Sequence, residues 1–264
     1  MAVPLALVIG LGLVLGSFAN VCIVRIPAQE SVIIPRSHCR RCGLILRWRE
    51  NIPLLSFLLL KGRCCRCGTP ISLQYPIIEI AAAFLSWAVY QHDPQWAPYL
   101  LTTLGFFLPL LVALVIDLQH LMLPDIITLS GPLTGFAYRL IFPVGDRFHF
   151  FLEGLIGAAL GLGLTWSVGA IYRRLRHQEG LGGGDIKLAM MLGAWIGWEG
   201  VLWSLFAASF FGTIVGGGWL LLSRRSHSTP IPFGPFLIVA AFLFFFWGQA
   251  WIEWYLRWTL HLVY

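Results

Sequence analysis

Residues 96–117 read WAPYLLTTLGFFLPLLVALVID, an apolar run that carries no charged side chain until the aspartate that ends it. A helix of about 20 apolar residues crosses the hydrocarbon core of a bilayer. Similar runs recur along the whole chain, in which 58% of the 264 residues are hydrophobic and only 11% are charged. A water-soluble domain of this length could not bury so much apolar surface in one core. The sequence therefore predicts an all-α polytopic membrane protein.

We predict about eight transmembrane helices, because apolar runs of suitable length recur with polar breaks between them. The first run is interpreted as a retained span and not a cleaved signal peptide, since no small-residue cleavage site follows it. The runs at residues 77–90 and 186–198 are short for a full crossing. The predicted spans cover residues 3–23, 77–90, 96–116, 126–142, 148–172, 186–198, 201–222 and 233–254.

The basic residues indicate how the chain is oriented. The net charge is +6, and most arginines and lysines lie in three segments, at residues 25–66, 173–176 and 224–225. Counting the predicted spans places all three segments on one face. The positive-inside rule then puts them in the cytoplasm and the amino terminus outside. Because topology explains the basic excess, we expect membrane lipid and no nucleic acid among the partners.

Glycines recur at helical spacing in two of the predicted spans. Gly154, Gly157 and Gly161 lie in the fifth span, and Gly212 and Gly216 lie in the seventh. Small residues at this spacing let membrane helices approach each other closely. We expect these positions to lie at contacts between helices.

The long polar segment, residues 25–76, contains two Cys-x-x-Cys motifs, CRRC at residues 39–42 and CCRC at residues 64–67. Four thiolates at this spacing can surround a zinc ion tetrahedrally, and a glycine follows each motif to ease its turn. The segment is too short to bury much apolar core, so we expect a structural Zn²⁺ ion to organise it. The expected ligands are Cys39, Cys42, Cys64 and Cys67.

Disulfides and a redox-active Cys-x-x-Cys are the alternatives to zinc. Both are disfavoured, because the charge pattern places these thiols in a reducing cytoplasm. Cys65 could take the place of Cys64, and His38 could serve as a ligand, but we rank both below the four-cysteine set. Cys22, near the end of the first span, is interpreted as an apolar packing residue.

Three of the twelve acidic residues lie near helix ends on the predicted cytoplasmic face: Asp117, Asp125 and Asp185. An ionisable residue at membrane depth is costly, so each is a candidate functional residue. For Asp125, which follows Pro124, a helix-capping role is the main alternative. The pair Asp117 and Asp185 is the stronger candidate for chemistry.

Two carboxylates from different helices can share one proton, and such a pair hydrolyses peptides when one carboxylate activates water and the other polarises the carbonyl. The stretch LGGGDIK, residues 181–187, has three glycines that reduce the bulk around Asp185 and admit an extended backbone. We expect Lys187 to bias which of the two carboxylates is ionised. Asp117 and Asp185 are thus the expected catalytic residues, and the supporting candidates are Gly182, Gly184, Lys187 and Asp125.

With these motifs the chain resembles the type 4 prepilin peptidases, bifunctional leader peptidase/N-methyltransferases of the GxGD aspartic protease class. The resemblance covers most of the chain in the expected order. It rests on GSFAN at residues 16–20, PRSHC at 35–39, NIP at 51–53, Ser56, GRC at 62–64, YP at 75–76, Glu79, Asp117, LPD at 123–125, GGGDIK at 182–187 and PFGP at 232–235.

The resemblance implies that Asp117 and Asp185 are the catalytic aspartates and that the four cysteines bind zinc. It implies cleavage of a short basic leader from prepilin or pseudopilin precursors at the cytoplasmic face, between a glycine and usually a phenylalanine. It further implies location in a bacterial inner membrane and service to type IV pili or type II secretion. The predicted topology agrees, since a precursor with its apolar helix in the bilayer presents its leader on that face.

Methylation of the new amino terminus by S-adenosylmethionine is implied by the resemblance alone, because the chain has no glycine-rich nucleotide fingerprint after a predicted strand. The candidate residues for binding the cosubstrate are Glu50, Gly62, Arg63 and Glu79. The expected domains are a first transmembrane helix at residues 1–24, a zinc-binding segment associated with methyl transfer at 25–76, and a peptidase domain at 77–264.

Three other functions compete with this interpretation. A GxGD protease that only cleaves would not need the zinc segment. A transporter in which Asp117 and Asp185 relay protons often shows repeated halves, and the sequence shows no repeat. A zinc-dependent assembly scaffold would leave LGGGDIK unexplained.

Overall fold

A computed structural model describes residues 4–178, 180–223 and 232–261 of the chain. Within these ranges the protein is all-helical and contains no β-strand, as the sequence predicted. The basic pair Arg224 and Arg225 lies outside the described residues. The helices are α1 (Leu5–Arg25), α2 (Leu55–Leu59), α3 (Gln74–His92), α4 (Trp96–Thr102), α5 (Leu108–His120), α6 (Asp125–Ile141), α7 (Arg147–Arg176), α8 (Gly183–Ser223) and α9 (Gly234–His261).

Five helical stretches of the described chain are long and apolar enough to cross a membrane, so the protein is a membrane protein: Leu5–Arg25, Trp96–His120, Arg147–Arg176, Gly183–Gly218 and Gly234–Thr259. The second joins α4 to α5 through one π-helical turn, Thr103–Phe107. The predicted count of eight is not confirmed. Helices α3 and α6 do not meet the same length and apolarity, and the predicted spans 186–198 and 201–222 lie in α8 on either side of a break.

The chain forms two compact units, Met1–Ile116 and Asp117–Tyr264. In the first unit, α1 packs closely on α3. A Cβ on Gly12 would lie 2.6 Å from the Ala83 Cα, and a Cβ on Gly16 would lie 2.6 Å from the Glu79 Cα. Glycine is therefore required at both positions for the two backbones to approach. The predicted domain boundaries at residues 24 and 76 stay a prediction.

The second unit is a bundle of α6, α7, α8 and α9. Gly157 of α7 and Gly193 of α8 pack backbone against backbone, and neither residue has room for a Cβ. Gly154 and Gly161 are equally crowded, which confirms the prediction that these α7 glycines lie at helix contacts. Gly212 is less constrained, because its Cβ would make only an ordinary 3.7 Å contact with Phe236.

Helix α8 is broken at Gly197, whose φ of 74° and ψ of −176° are not helical. Only glycine adopts this backbone conformation readily. The chain reverses at the break, because a Cβ on Gly161 would touch both Ala189 and Val201, which in a straight helix would lie roughly 18 Å apart. Helix α8 thus has a first arm, residues 183–196, and a second arm, residues 198–223, lying side by side.

Arg139 of α6 is buried at the break, with only 3% of its surface exposed. Its guanidinium donates to the carbonyls of Ala194 (2.9 Å) and Trp195 (3.0 Å), and it also pairs with Glu153 at 3.7 Å. The last carbonyls of a helical arm have no partner within that arm. Arg139 therefore caps the first arm of α8 and fixes the end that lies away from Asp185.

Candidate aspartate site and cysteine cluster

Asp117 lies in the last turn of α5 and is buried, with 5% of its surface exposed. Its carboxylate faces the backbone N–H of Gly234, the first residue of α9. A Cβ on Gly234 would lie 2.5 Å from the Asp117 Oδ2, so only glycine fits there without displacing the carboxylate. Oδ2 has no hydrogen-bond partner of good geometry among the described residues. A buried oxygen without a partner is costly, so this atom has an unused capacity to accept a hydrogen bond.

Asp185 is the third residue of α8, and the structure explains why an acid is stable there. Its backbone N–H donates to the Gly182 carbonyl at 3.1 Å, while its carboxylate accepts from the Gly182 N–H. The bond from the Gly182 N–H to this carboxylate is one half of a capping box, in which the third helical residue accepts from the N–H of the N-cap residue. A Cβ on Gly182 would lie 3.1 Å from the Asp185 Oδ2, so glycine also leaves room beside the carboxylate.

The two aspartates face the same site, close enough for the Asp117 carboxylate to act electrostatically on Asp185. Leu123 connects the segments that carry them. A Cβ on Gly184 would lie 2.9 Å from the Leu123 Cβ, and one on Gly234 would lie 3.3 Å from its Cδ1. The backbones next to both aspartates thus pack on one leucine, which brings the two carboxylates together.

The supporting candidates Lys187 and Asp125 pair with each other. The Lys187 Nζ donates to the Asp125 Oδ1 at 2.6 Å, and both side chains are partly exposed. Asp125 is the first residue of α6, after Pro124, where a carboxylate suits the positive end of the helix dipole. We expected Lys187 to act on the aspartate pair directly, whereas its ammonium binds the carboxylate of Asp125. The Lys187 side chain is long and flexible, so the position of α6 in the folded chain decides which carboxylate it contacts.

The four predicted zinc ligands converge in the first unit. The Sγ atoms of Cys39, Cys42, Cys64 and Cys67 all lie within 4.8 Å of one another. Cys39 and Cys67 are 3.8 Å apart, and Cys42 and Cys64 are 4.0 Å apart. Sulfurs placed 2.3 Å from a central zinc in a tetrahedron are about 3.8 Å from each other. The cluster therefore fits a tetrahedral Zn²⁺ ion.

Two similar turns build this cluster. In the first, the Cys39 N–H donates to Leu44 and the Gly43 N–H donates back to Cys39; in the second, Cys64 pairs in the same way with Thr69 and Gly68. Gly43 and Gly68 have φ of 69° and 67°, the left-handed conformation that glycine adopts without strain. Hydrogen bonds with Thr69 lower the pKa of Cys67 to about 6, whereas burial and the neighbouring thiols raise the pKa of Cys42 to about 11.

The remaining thiols and His38 do not take part in the cluster. The Cys65 thiol donates to the Glu50 carboxylate at 3.2 Å, and this hydrogen bond raises the pKa of Cys65. A His38 ring nitrogen lies 3.1 Å from the Arg36 carbonyl. Cys22 is buried in α1, as expected of a packing residue.

The candidates for cosubstrate binding lie at different points of the first unit. Glu50 accepts from the Arg47 N–H at 2.8 Å, which lowers the pKa of its carboxyl group, and Gly62 and exposed Arg63 begin the second cysteine turn. Glu79 is buried in α3, and its carboxylate accepts from the Leu54 N–H at 2.8 Å. Glu79 thereby links the polar segment to α3.

Sequence reasoning assigned no role to Leu123, Gly234 or Arg139. Leu123 and Gly234 lie in the LPD and PFGP motifs, which marked both residues as functional candidates. The contacts of these two residues with the aspartate site are visible only in the folded chain. Arg139 had a weaker signal, namely a single cation within an apolar run.

Two family models match the chain. Residues 10–92 match the Bacterial Peptidase A24 N-terminal domain, and residues 104–217 match the Type IV leader peptidase family. The first match contains the cysteine cluster, and the second contains both aspartates. No solved structure gives a significant match to the chain.

Curated relatives extend the similarity over nearly the full length. A prepilin leader peptidase/N-methyltransferase from Xanthomonas campestris pv. campestris is 36% identical over 94% of this chain and 93% of its own length. One of the same name from Pseudomonas aeruginosa is 36% identical over 96% of this chain and 95% of its own. One from Myxococcus xanthus is 41% identical over 82% of this chain and 63% of its own. This chain belongs to the prepilin leader peptidase/N-methyltransferase family of membrane enzymes.

Proposed function

We propose that this enzyme cleaves the leader peptide from prepilin or pseudopilin precursors with Asp117 and Asp185, and then methylates the new amino terminus with S-adenosylmethionine. The observation that carries the proposal is the pairing of these two carboxylates from α5 and α8 in one glycine-lined site. Membership in the family supports the reaction, and the proximity of the two aspartates supports the choice of Asp117 and Asp185 as catalytic residues.

The aspartate pair is equipped for general acid–base hydrolysis. One carboxylate takes a proton from water while the other, protonated, donates to the carbonyl of the scissile peptide. When the intermediate collapses, the first carboxylate passes the proton from water to the leaving amine, and the second recovers its proton from a hydroxyl of the intermediate. The C–N bond breaks in this step, and the pair ends in its starting state. The Asp117 Oδ2, buried and without a partner, would gain its missing hydrogen bond from the water or the substrate. Gly182 and Gly234 leave space beside both carboxylates for an extended backbone.

Membrane orientation follows from the same proposal. The basic segments face the cytoplasm of a bacterial inner membrane, with the amino terminus in the periplasm. Asp117 at the end of α5 and Asp185 at the start of α8 then lie at the cytoplasmic face. A precursor anchored by its own apolar helix would present its basic leader there.

Zinc binding by Cys39, Cys42, Cys64 and Cys67 is proposed as structural. When bound, the ion would supply the organising centre that this polar segment lacks. Methyl transfer is proposed for the same unit. S-adenosylmethionine carries an ammonium and a sulfonium, which carboxylates such as Glu50 and Glu79 attract. Gly62 and Arg63 are the further candidates beside the second cysteine turn.

The test is to incubate the purified protein in detergent with a prepilin and radiolabelled S-adenosylmethionine. Asp117→Asn and Asp185→Asn should each abolish cleavage. The matched control is Asp146→Asn, because Asp146 caps α7 by accepting from the His149 N–H and asparagine caps equally well. Cleavage that persists in both aspartate variants would contradict the assignment. Cleavage without label transfer by the wild type would show a peptidase without methyltransferase activity, and activity in neither assay would favour a transporter or scaffold.

A further inference from the structure

We propose that a groove between the second arm of α8 and the start of α9 binds the apolar side chain of the residue that follows the cleavage site in the precursor. The groove has a volume of about 300 Å³, which is within the usual range of ligand sites. Ala208, Ser209, Gly212 and Thr213 form one wall, and Pro232, Phe233 and Phe236 form the other. This inference rests on the proposed peptidase function.

The groove begins close to the depth of Asp185 in the bundle. Gly161 of α7 is level with both Ala189 and Val201, one on each arm of α8. Asp185 lies about one turn before Ala189, and Ser209 about two turns after Val201. Because the arms run in opposite directions, Ser209 lies about one helical turn, roughly 5 Å, further along than Asp185.

The groove also adjoins Asp117 through the chain itself. Phe233 lines the groove and is followed by Gly234, which has no room for a Cβ beside the Asp117 Oδ2. Neighbouring Cα atoms in a peptide are 3.8 Å apart. A substrate whose scissile carbonyl lies at the aspartates would therefore have its adjacent residue close enough to Phe233 for the side chain to enter the groove.

The lining indicates which side chain fits. Gly212 and Ala208 create the space, while Phe233 and Phe236 offer apolar ring surface. The Thr213 hydroxyl donates to the Ser209 carbonyl at 2.7 Å and is thus used within its own helix. An apolar groove of this kind would not suit the basic leader. It suits the first residue of the mature precursor, which begins an apolar membrane helix.

The experiment narrows the groove and varies the substrate. Gly212→Leu is compared with the wild type on two precursors that differ only in having Phe or Ala after the cleavage site. We expect kcat/KM for the Phe precursor to fall about tenfold or more, while the Ala precursor changes less than about twofold. Gly212→Ala should give a smaller loss on the Phe precursor. Val215→Leu is the control, because Val215 lies on the same arm and is 55% exposed outside the groove.

Because Gly212→Leu could lose activity through a folding defect, a second variant tests the groove by enlarging it. Phe236→Ala enlarges the groove, so the ratio of Trp-precursor to Phe-precursor cleavage should rise severalfold above that of the wild type. Equal losses on the Phe and Ala precursors in Gly212→Leu, with an unchanged Trp-to-Phe ratio in Phe236→Ala, would overturn the groove assignment. Failure of the wild type to cleave any of the precursors would instead overturn the proposed peptidase function.

Discussion

Lys187 and Asp125 join the first turn of α8 to the first turn of α6 through a 2.6 Å hydrogen bond between ammonium and carboxylate. Asp185 is two residues before Lys187, and Leu123, on which Gly184 packs, is two residues before Asp125. The ion pair therefore holds together the two segments that shape the aspartate site. Because the Lys187 ammonium pairs with the Asp125 carboxylate, we expect Lys187 to act on the aspartate site indirectly, by orienting the start of α8.

The first prediction distinguishes this indirect role from a direct one. Lys187→Ala and Asp125→Asn should each lower kcat/KM by about two- to fivefold, because partly exposed ion pairs contribute roughly 0.2–1 kcal/mol. The double variant should be no worse than either single variant, since both remove the same interaction. If Lys187→Ala is far more damaging than Asp125→Asn, or shifts the acidic limb of the pH–rate profile alone, then Lys187 acts on the aspartates directly.

The second prediction concerns Gly234. Gly234→Ala should reduce cleavage on the order of 100-fold, because the added Cβ would lie 2.5 Å from the Asp117 Oδ2 and displace a reacting group. The measurement is kcat/KM for a prepilin, with thermal unfolding in detergent recorded in parallel. Gly163→Ala is the matched control: a Cβ on Gly163 of α7 meets no atom within 4 Å, so both activity and stability should be kept. Near-normal cleavage by Gly234→Ala would show that catalysis does not depend on the observed position of the Asp117 carboxylate.

Features that depend on local sequence patterns were predicted, whereas features that depend on contacts between residues far apart in the chain were not. Apolar runs are long, so the all-helical membrane class was predicted although the count of eight spans is not confirmed, and Cys-x-x-Cys turns are local, so the cysteine cluster was predicted. The short predicted span at residues 186–198 corresponds to the first arm of α8. The position of the break was not predictable, because Gly193 and Gly200 lie close to Gly197 in the chain and only the contacts with α7 and Arg139 favour a break at Gly197. The partner of Lys187 was missed for the same reason.

The third prediction concerns the metal. The purified protein should contain about one zinc ion per chain by elemental analysis, and Cys39→Ser should lose it, because the remaining three sulfurs leave the tetrahedron incomplete. Cys65→Ser is the control and should retain zinc, since the Cys65 thiol binds Glu50 outside the cluster. Removal of zinc should also make the segment at residues 25–76 sensitive to proteases. Equal zinc loss in the two variants would show that Cys65 is a ligand.

The fourth prediction concerns stability at the break in α8. Arg139→Leu removes the guanidinium that donates to the carbonyls of Ala194 and Trp195, and each buried hydrogen bond lost in this way costs about 1–3 kcal/mol. Glu153 would also lose its ion-pair partner. We expect Arg139→Leu to lower the midpoint of thermal unfolding in detergent clearly, and Arg139→Lys to recover only part of the loss, because an ammonium cannot reproduce the planar fork of donors.

Arg257→Leu provides the comparison for Arg139. Arg257 pairs with Glu253 at 3.1 Å on an exposed face of α9, where such a pair contributes about 0.5 kcal/mol or less. Its loss should leave the unfolding midpoint nearly unchanged. If Arg139→Leu is equally harmless, the carbonyls at the break find other donors and the break does not depend on this arginine. If Arg139→Leu unfolds early yet retains cleavage when folded, then Arg139 fixes the far end of the first arm without setting the geometry at Asp185.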